Sequence, residues 1–205
     1  ERMQAFIKTL RDNPPPLSVI DSIHIAEIDP DGFDSFEIIP SDSDTEKFVP
    51  ISPDVSICDD CRRELFDPSN RRFRYPFINC TNCGPRFTII KGIPYDRAFT
   101  TMKPFEMCDS CRLEYENPID RRFHAQPTAC PECGPRIWLE DDKGNHFQEE
   151  NGLKTARVMI NEGKILAVKG LGGFHLACDA HNQQTIEELR KRKKRTDQAF
   201  AVMVY

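Results

Sequence analysis

Eight of the chain's nine cysteines fall into two identical frames set 50 residues apart, Cys58-x2-Cys61-x18-Cys80-x2-Cys83 and Cys108-x2-Cys111-x18-Cys130-x2-Cys133. Two cysteines three residues apart turn both thiolates toward one point from a knuckle-like bend, and two such knuckles complete a tetrahedron around Zn²⁺. A cage of four thiolates leaves no open position for water or substrate, so both metals are expected to be structural rather than catalytic. Disulfides, a redox dithiol pair and iron–sulfur ligation are the other uses of such cysteines. The repeated quartets favour zinc over all three.

The register extends beyond the ligands, as expected of a duplicated unit. Pro68, Arg71, Arg72 and Phe73 answer to Pro118, Arg121, Arg122 and Phe123, and Cys83-Gly84-Pro85-Arg86 answers to Cys133-Gly134-Pro135-Arg136. Gly84 and Gly134 follow the last ligand, where a residue free of Cβ strain lets the chain turn away from the metal. The repeated arginines read either as phosphate binders or as counter-ions. The second reading is favoured, because each zinc–thiolate centre carries a formal charge of about -2 that calls for nearby cations. His124 stands where the first copy has Arg74, so it is not expected to be a ligand. Cys178 has no partner and reads as a buried structural thiol.

Composition explains why metal staples are needed. Sixteen prolines, 30% charged residues and a mean hydropathy of -0.56 leave little apolar material for one large core in 205 residues, and small units bury a smaller fraction of their surface. Eight zinc-bound thiolates contribute -8 and two Zn²⁺ ions +4, taking the formal charge from -5 to about -9. That balance disfavours nonspecific binding to nucleic acid. No stretch approaches the roughly 18 apolar residues of a membrane span, and no segment resembles a secretory leader. The expected location is cytoplasmic, with no membrane partner.

The flanks read as pieces of other units. Met3, Phe6, Ile7 and Leu10 recur at helical spacing ahead of Pro14-Pro15-Pro16, predicting a short amphipathic helix. Val19–Ile28 and Phe33–Ile39 predict a β-hairpin around Asp29-Pro30-Asp31-Gly32. Beyond the repeat, Leu153–Asn161 predicts a helix, Lys164–Lys169 a strand and Leu171–Phe174 a glycine-rich turn. A helix capped by Asn182 follows through about Arg192, with Phe200–Val204 as another buried strand. A chain that starts and ends inside domains reads as an excised piece of a longer protein.

The duplicated finger, with Arg-Arg-Phe between its knuckles and Cys-Gly-Pro-Arg after each pair, closely resembles the zinc-finger region of HypF-type carbamoyltransferases, which are [NiFe]-hydrogenase maturation proteins. The run from Ile165 to Ala180, Ile-Leu-Ala-Val-Lys-Gly-Leu-Gly-Gly-Phe-His-Leu-Ala-Cys-Asp-Ala, resembles the opening of a YrdC-like nucleotide-binding domain. Glu1–Pro40 is similar to the last helix and closing strands of an acylphosphatase-like domain, without its glycine-rich anion loop or catalytic arginine. The expected class is therefore α+β: a multi-domain fragment with two tandem four-cysteine zinc-finger modules flanked by partial α/β sandwich elements. Its divisions would be 1–40 (acylphosphatase-like), 41–57 (linker), 58–90 and 91–140 (fingers), and 150–205 (YrdC-like).

What the resemblance implies is an enzyme that converts carbamoyl phosphate and ATP to a carbamoyl-adenylate. The carbamoyl group then passes to the C-terminal cysteine of HypE, where it becomes the cyanide ligand of the hydrogenase iron. Lys169, Gly172, Gly173 and His175 match the strand and turn that would line the nucleotide pocket, and Lys193 and Arg195 match a Lys-x-Arg element that would neutralise phosphates. No complete catalytic set is expected within these residues, so the piece alone should be inactive. The competing reading is a freestanding zinc-ribbon module that binds nucleic acid or protein. Against nucleic acid stand the acidic balance and the lack of a basic, aromatic-interleaved stripe along the fingers.

Overall fold

A computed structural model describes residues 2–29, 32, 35, 50–147 and 152–204 of the chain. These divide into two compact units, Glu1–Pro135 and Arg136–Tyr205.

In the first unit the expected N-terminal helix is present as α1 (Arg2–Asp12), with no buried residue. Among the described residues the predicted strand Val19–Ile28 has no ladder partner, and Val19, Ile25 and Ile28 are exposed. β-branched residues favour a strand only where a neighbouring strand and a buried face reward them. Its expected partner, Phe33–Ile39, lies outside the described residues except for Ser35.

Each finger begins the same way. Cys58 sits in extended conformation (φ -77°, ψ 162°) as the N-cap of α2 (Asp59–Phe66), and Cys108 (φ -65°, ψ 163°) caps α3 (Asp109–Glu116). Asp59, Asp60 and Asp109 in the first turns complement the helix dipoles. Both helices stop at an extended residue, Asp67 or Asn117. The next residue is Pro68 or Pro118, which disfavours helical backbone just before it. The chain then reverses through Arg74 (φ 55°) and His124 (φ 50°), both left-handed. Their amides donate to Leu65 O at 2.8 Å and Tyr115 O at 2.9 Å, so the backbone path survives the change of side chain between copies.

The core of this unit is small and rich in sulfur. Cys61, Cys80 and Cys83 cluster with Tyr75, Ile78, Met102 and Ala129, with Leu65, Ile89 and Phe105 packed against them. Two polar ties fix its periphery. Val55 and Gly84 exchange backbone hydrogen bonds at 3.0 and 2.8 Å, which brings the end of the stretch read as linker onto the first finger. Between the fingers, a single 3₁₀ turn (Arg97–Phe99) carries a half-buried guanidinium that donates to Gln126 O, Thr128 O and Phe105 O at 2.6–2.8 Å. That arginine fastens the connector to the second finger.

In the second unit, α4 (Gly152–Asn161) precedes an antiparallel ribbon of β1 (Leu166–Gly170) and β2 (Gly173–Ala177). The register pairs Val168 with His175, Lys169 with Phe174 and Gly170 with Gly173, so the expected glycine-rich turn narrows to Leu171-Gly172. Next comes α5 (Gln183–Lys193), whose N-cap Asn182 accepts from the Thr185 amide at 3.1 Å as the sequence predicts. Phe200–Val204 is not the buried strand expected: no ladder forms within 200–204, and Val202, Met203 and Val204 are exposed. The ribbon likewise leaves Val168, Phe174 and Leu176 substantially exposed, so the described residues bury neither face of it.

Candidate metal centres

Within each quartet the four sulfurs lie within 4.8 Å of one another. Sulfur–sulfur edges include Cys58–Cys80 3.7 Å and Cys80–Cys83 3.8 Å in the first, and Cys108–Cys130 3.7 Å, Cys130–Cys133 3.7 Å and Cys111–Cys133 3.6 Å in the second. A tetrahedron with Zn–S bonds of about 2.3 Å has an edge of about 3.8 Å, whereas a disulfide needs about 2.05 Å. All eight thiols are free. These are two four-cysteine zinc-binding sites, with ligands Cys58, Cys61, Cys80 and Cys83, and Cys108, Cys111, Cys130 and Cys133.

The thiols also show why a cation is required. Hydrogen bonds from Cys80 and Cys83 push the Cys61 thiol far up, while hydrogen bonds with Cys61 and Cys83 drive Cys80 down. Burial pushes Cys111 up to about 12. Against burial, the Cys108 and Cys130 amides bring Cys133 down to about 7. Sulfurs at this spacing cannot all ionise unless a positive ion sits among them. When bound, zinc replaces that proton sharing with four thiolates held at fixed directions, which is scaffolding rather than catalysis.

The repeated arginines meet the cages in a crossed arrangement. From the first finger, Arg71 Nη2 donates to Cys111 Sγ at 3.3 Å and to Glu114 Oε2 at 2.6 Å. Arg72 Nη2 reaches the same sulfur at 3.4 Å, and its Nε donates to Ala129 O at 2.8 Å. From the second finger, Arg121 Nη1 donates to Cys61 Sγ at 2.8 Å and Nη2 to Glu64 Oε1 at 2.5 Å. Arg122 pairs with Glu64 and donates through Nε to Asn79 O at 3.1 Å. Since 64, 72 and 79 correspond to 114, 122 and 129, the contact is reciprocal, like that of a two-fold dimer.

Burial would raise the carboxyls of Glu64 and Glu114, yet hydrogen bonds from two arginines each outweigh it and hold both below the usual range. Burial likewise opposes charge on Arg71 and Arg121, but carboxylate and thiolate partners keep both firmly protonated. The side chains of Arg72 and Arg122 are only 1% and 5% exposed. The counter-ion reading is thus the one the geometry supports, and phosphate would find these groups already engaged. Glu64 and Glu114 were not singled out in the sequence, although the same 50-residue register marks them, three residues after Cys61 and Cys111.

The two glycines prove to have different reasons. Gly84 has φ +97°, and a Cβ there would lie 2.6 Å from Asn79 Cβ. Gly134 does not share the positive φ; instead a Cβ there would collide with the Tyr75 hydroxyl and sit 2.5 Å from Ala129 Cβ. Tyr75 Oη donates to Pro135 O at 3.2 Å, so Gly134 is where the first finger's aromatic ring presses on the second. His124 lies outside both quartets and stacks on Tyr115 at 4.9 Å. Cys178 is half-buried rather than buried.

The expected nucleotide-contact residues lie in the second unit. Lys169 stands opposite Phe174, with Nζ 5.3 Å from the ring centroid. His175 stands opposite Val168, its ring against Gly170. Alternation along a strand puts Lys169 and His175 on opposite faces of the ribbon, with Gly172 and Gly173 at the turn between them. Lys193 ends α5, and Arg195 lines a cavity of about 340 Å³ with Lys194, Thr196, Asp197 and Gln198. A cavity of about 430 Å³ at the start of α5, lined by Gly163, Lys164, Thr185, Glu188 and Arg192 among others, includes none of these six expected residues. No helix among the described residues is long and apolar enough to cross a membrane.

Comparison with known proteins gives a consistent answer. The family described as HypF finger matches residues 57–90 and 107–140, and the Sua5/YciO/YrdC family, described as telomere recombination, matches 158–205. The chain is 52% identical over 199 residues to carbamoyltransferase HypF2 of Cupriavidus necator, covering 95% of this chain and 24% of that protein. It is 53% identical to carbamoyltransferase HypF of Synechocystis (97% and 26%) and 52% identical to the probable carbamoyltransferase HypF of Methanocaldococcus jannaschii (99% and 27%). Its structure matches a full-length HypF crystallised in a phosphate- and nucleotide-bound form with a TM-score of 0.83, at 50% identity, over 97% of this chain and 26% of that one. T. kodakarensis HypF gives 0.82 at 53% identity, over 97% and 25%. With half of its residues identical across nearly its whole length, the chain is homologous to HypF carbamoyltransferases and spans about a quarter of the length of the relatives it matches.

Proposed function

We propose that this chain is the finger-bearing segment of a cytoplasmic carbamoyltransferase that makes carbamoyl-adenylate from carbamoyl phosphate and ATP. The carbamoyl group then passes to the C-terminal cysteine of a HypE-type partner during hydrogenase maturation. Residues 1–40 are assigned to the end of an acylphosphatase-like domain, 41–57 to a linker, 58–90 and 91–140 to the fingers and 150–205 to the start of a YrdC-like domain. The observation that carries this reading is about 50% identity, through both cages and the following domain, to proteins named carbamoyltransferase HypF. Lys169, Gly172, Gly173, His175, Lys193 and Arg195 are assigned to nucleotide contact. The nucleic-acid-binding alternative is weakened by the engagement of Arg71, Arg72, Arg121 and Arg122 inside the finger pair.

The role of the fingers in this reading is to hold shape, since their metals have no vacant coordination position. Grafting the chain in place of the matching quarter of the Synechocystis protein tests the whole assignment. The zinc-loaded chimera should retain ATP–pyrophosphate exchange that depends on carbamoyl phosphate, and Lys169→Ala or Arg195→Ala within it should depress that exchange. The chain alone should show none. A folded chimera without exchange, or robust turnover by the chain alone, would overturn the proposal.

A further inference from the structure

Among the described residues, every guanidinium that hydrogen-bonds a cage sulfur comes from the opposite finger: Arg71 and Arg72 at Cys111, and Arg121 at Cys61. The arginine that follows the last ligand of the first finger, Arg86, donates instead to the carbonyls of Cys80, Thr81, Cys83 and Pro85. From this exchange we infer that each cage's hold on zinc is set by the arginine pair of the other finger, so the two sites retain and release metal as a coupled pair rather than as two independent modules.

The physical route has two parts. A four-thiolate zinc centre carries a formal charge of about -2, and donors to its sulfurs stabilise the charged ligands; such outer partners govern about 10–100-fold in metal affinity. The second part is mechanical. Glu64 lies on α2, one turn beyond the ligand Cys61, and holds both Arg121 and Arg122. If the first cage opens and α2 frays, Arg122 is left buried without its carboxylate, a costly state that is relieved only by loosening the second finger. Glu114 on α3 does the same for Arg71 and Arg72. Reciprocity follows, because a coupling free energy acts equally in both directions.

The zinc-loaded chain is challenged with EDTA, zinc release is followed with a chromogenic dye, and opened cysteines are trapped by pulsed alkylation and located by peptide mass spectrometry. Arg121→Met and Arg71→Met are the variants, chosen because these side chains are 21% and 33% exposed and so tolerate replacement better than Arg72 or Arg122. Arg121→Met should speed release about 10–100-fold, with first labelling at Cys58, Cys61, Cys80 and Cys83. Arg71→Met should act first on Cys108, Cys111, Cys130 and Cys133. Earlier labelling in the finger that carries the substitution, opening of one quartet while the other stays closed at the unsubstituted rate, or an unchanged rate would overturn the inference. Should either Met variant fail to fold, Arg121→Lys and Arg71→Lys keep the charge but not the two-pronged reach. They must show the same crossed pattern at smaller amplitude, and an uncrossed pattern would refute it equally.

Discussion

Gly134→Ala is the sharpest small perturbation of the finger pair, because the added methyl meets the first copy's Tyr75 as well as its own copy. Its Cβ would meet the hydroxyl of Tyr75, a residue only 4% exposed, and lie 2.5 Å from Ala129 Cβ and 3.1 Å from Cys130 O. Overpacking of this kind costs about 1–3 kcal/mol. Displacing Tyr75 also loses its 3.2 Å hydrogen bond to Pro135 O, worth about 1 kcal/mol net. The expected loss is therefore about 2–4 kcal/mol, a large share of the stability of a small domain. Tyr75→Phe alone should cost about 1 kcal/mol. It also removes the atom most in the way, so the double variant should be more stable than the sum of the single losses, by about 1 kcal/mol or more. The rescue stays partial because Ala129 still crowds the methyl. Urea unfolding at fixed free zinc measures all four proteins on one scale, free zinc being held constant because bound metal adds to apparent stability. Losses that add within about 0.5 kcal/mol would refute the claim that Gly134 is required for the room it leaves Tyr75.

Two further outcomes follow from the cages and their counter-ions. Zinc binding at about 10–16 kcal/mol per site in model fingers exceeds the stability a small domain can supply, so a strong chelator should abolish the amide-exchange protection of residues 57–135; full protection in metal-free protein would exclude a metal-dependent core. Glu64 and Glu114 have folded pKa values depressed below 4.5, so their contribution is complete above that value and is lost as pH falls through the lower folded value. Glu64→Gln and Glu114→Gln should accordingly destabilise the protein at neutral pH, with the deficit relative to the unsubstituted chain shrinking below pH 4.5; a deficit independent of pH would show that these carboxylates act through packing alone.

The ligands were legible because two cysteines three residues apart have few structural uses, and a second copy at constant register leaves fewer. Helix ends were legible from Pro14-Pro15-Pro16 and Asn182, each of which acts within about one turn. The strand read at Lys164–Lys169 has its partner next in sequence, Leu166–Gly170 pairing with Gly173–Ala177 across a two-residue turn, whereas the equally β-prone Phe200–Val204 forms no ladder among the described residues. A repeat period states which positions are equivalent, but it does not say whether equivalent residues meet inside a copy or across copies. For that reason the arginines could be read as counter-ions without assigning each to a cage, and nothing in the repeat alone marked Glu64 and Glu114 as their partners.

The places where the two copies differ carry the remaining information, and they make sense only after the exchange is known. Tyr75, Asn79 and Thr81 of the first copy donate to Pro135 O, Pro127 O and Arg121 O of the second. Their counterparts are Ala125, Ala129 and Pro131, none of which offers a side-chain donor. A perfect two-fold contact would make each of these bonds twice, once from either copy, but here only the first copy supplies the side-chain donor. One copy fills the seam and the other leaves room, which is also why Gly134 must be small for steric reasons while Gly84 answers to a backbone angle. Divergence at the seam and constancy at Arg71, Arg72, Arg121, Arg122, Glu64 and Glu114 are therefore two consequences of one reciprocal interface. A single detached finger would have no use for either.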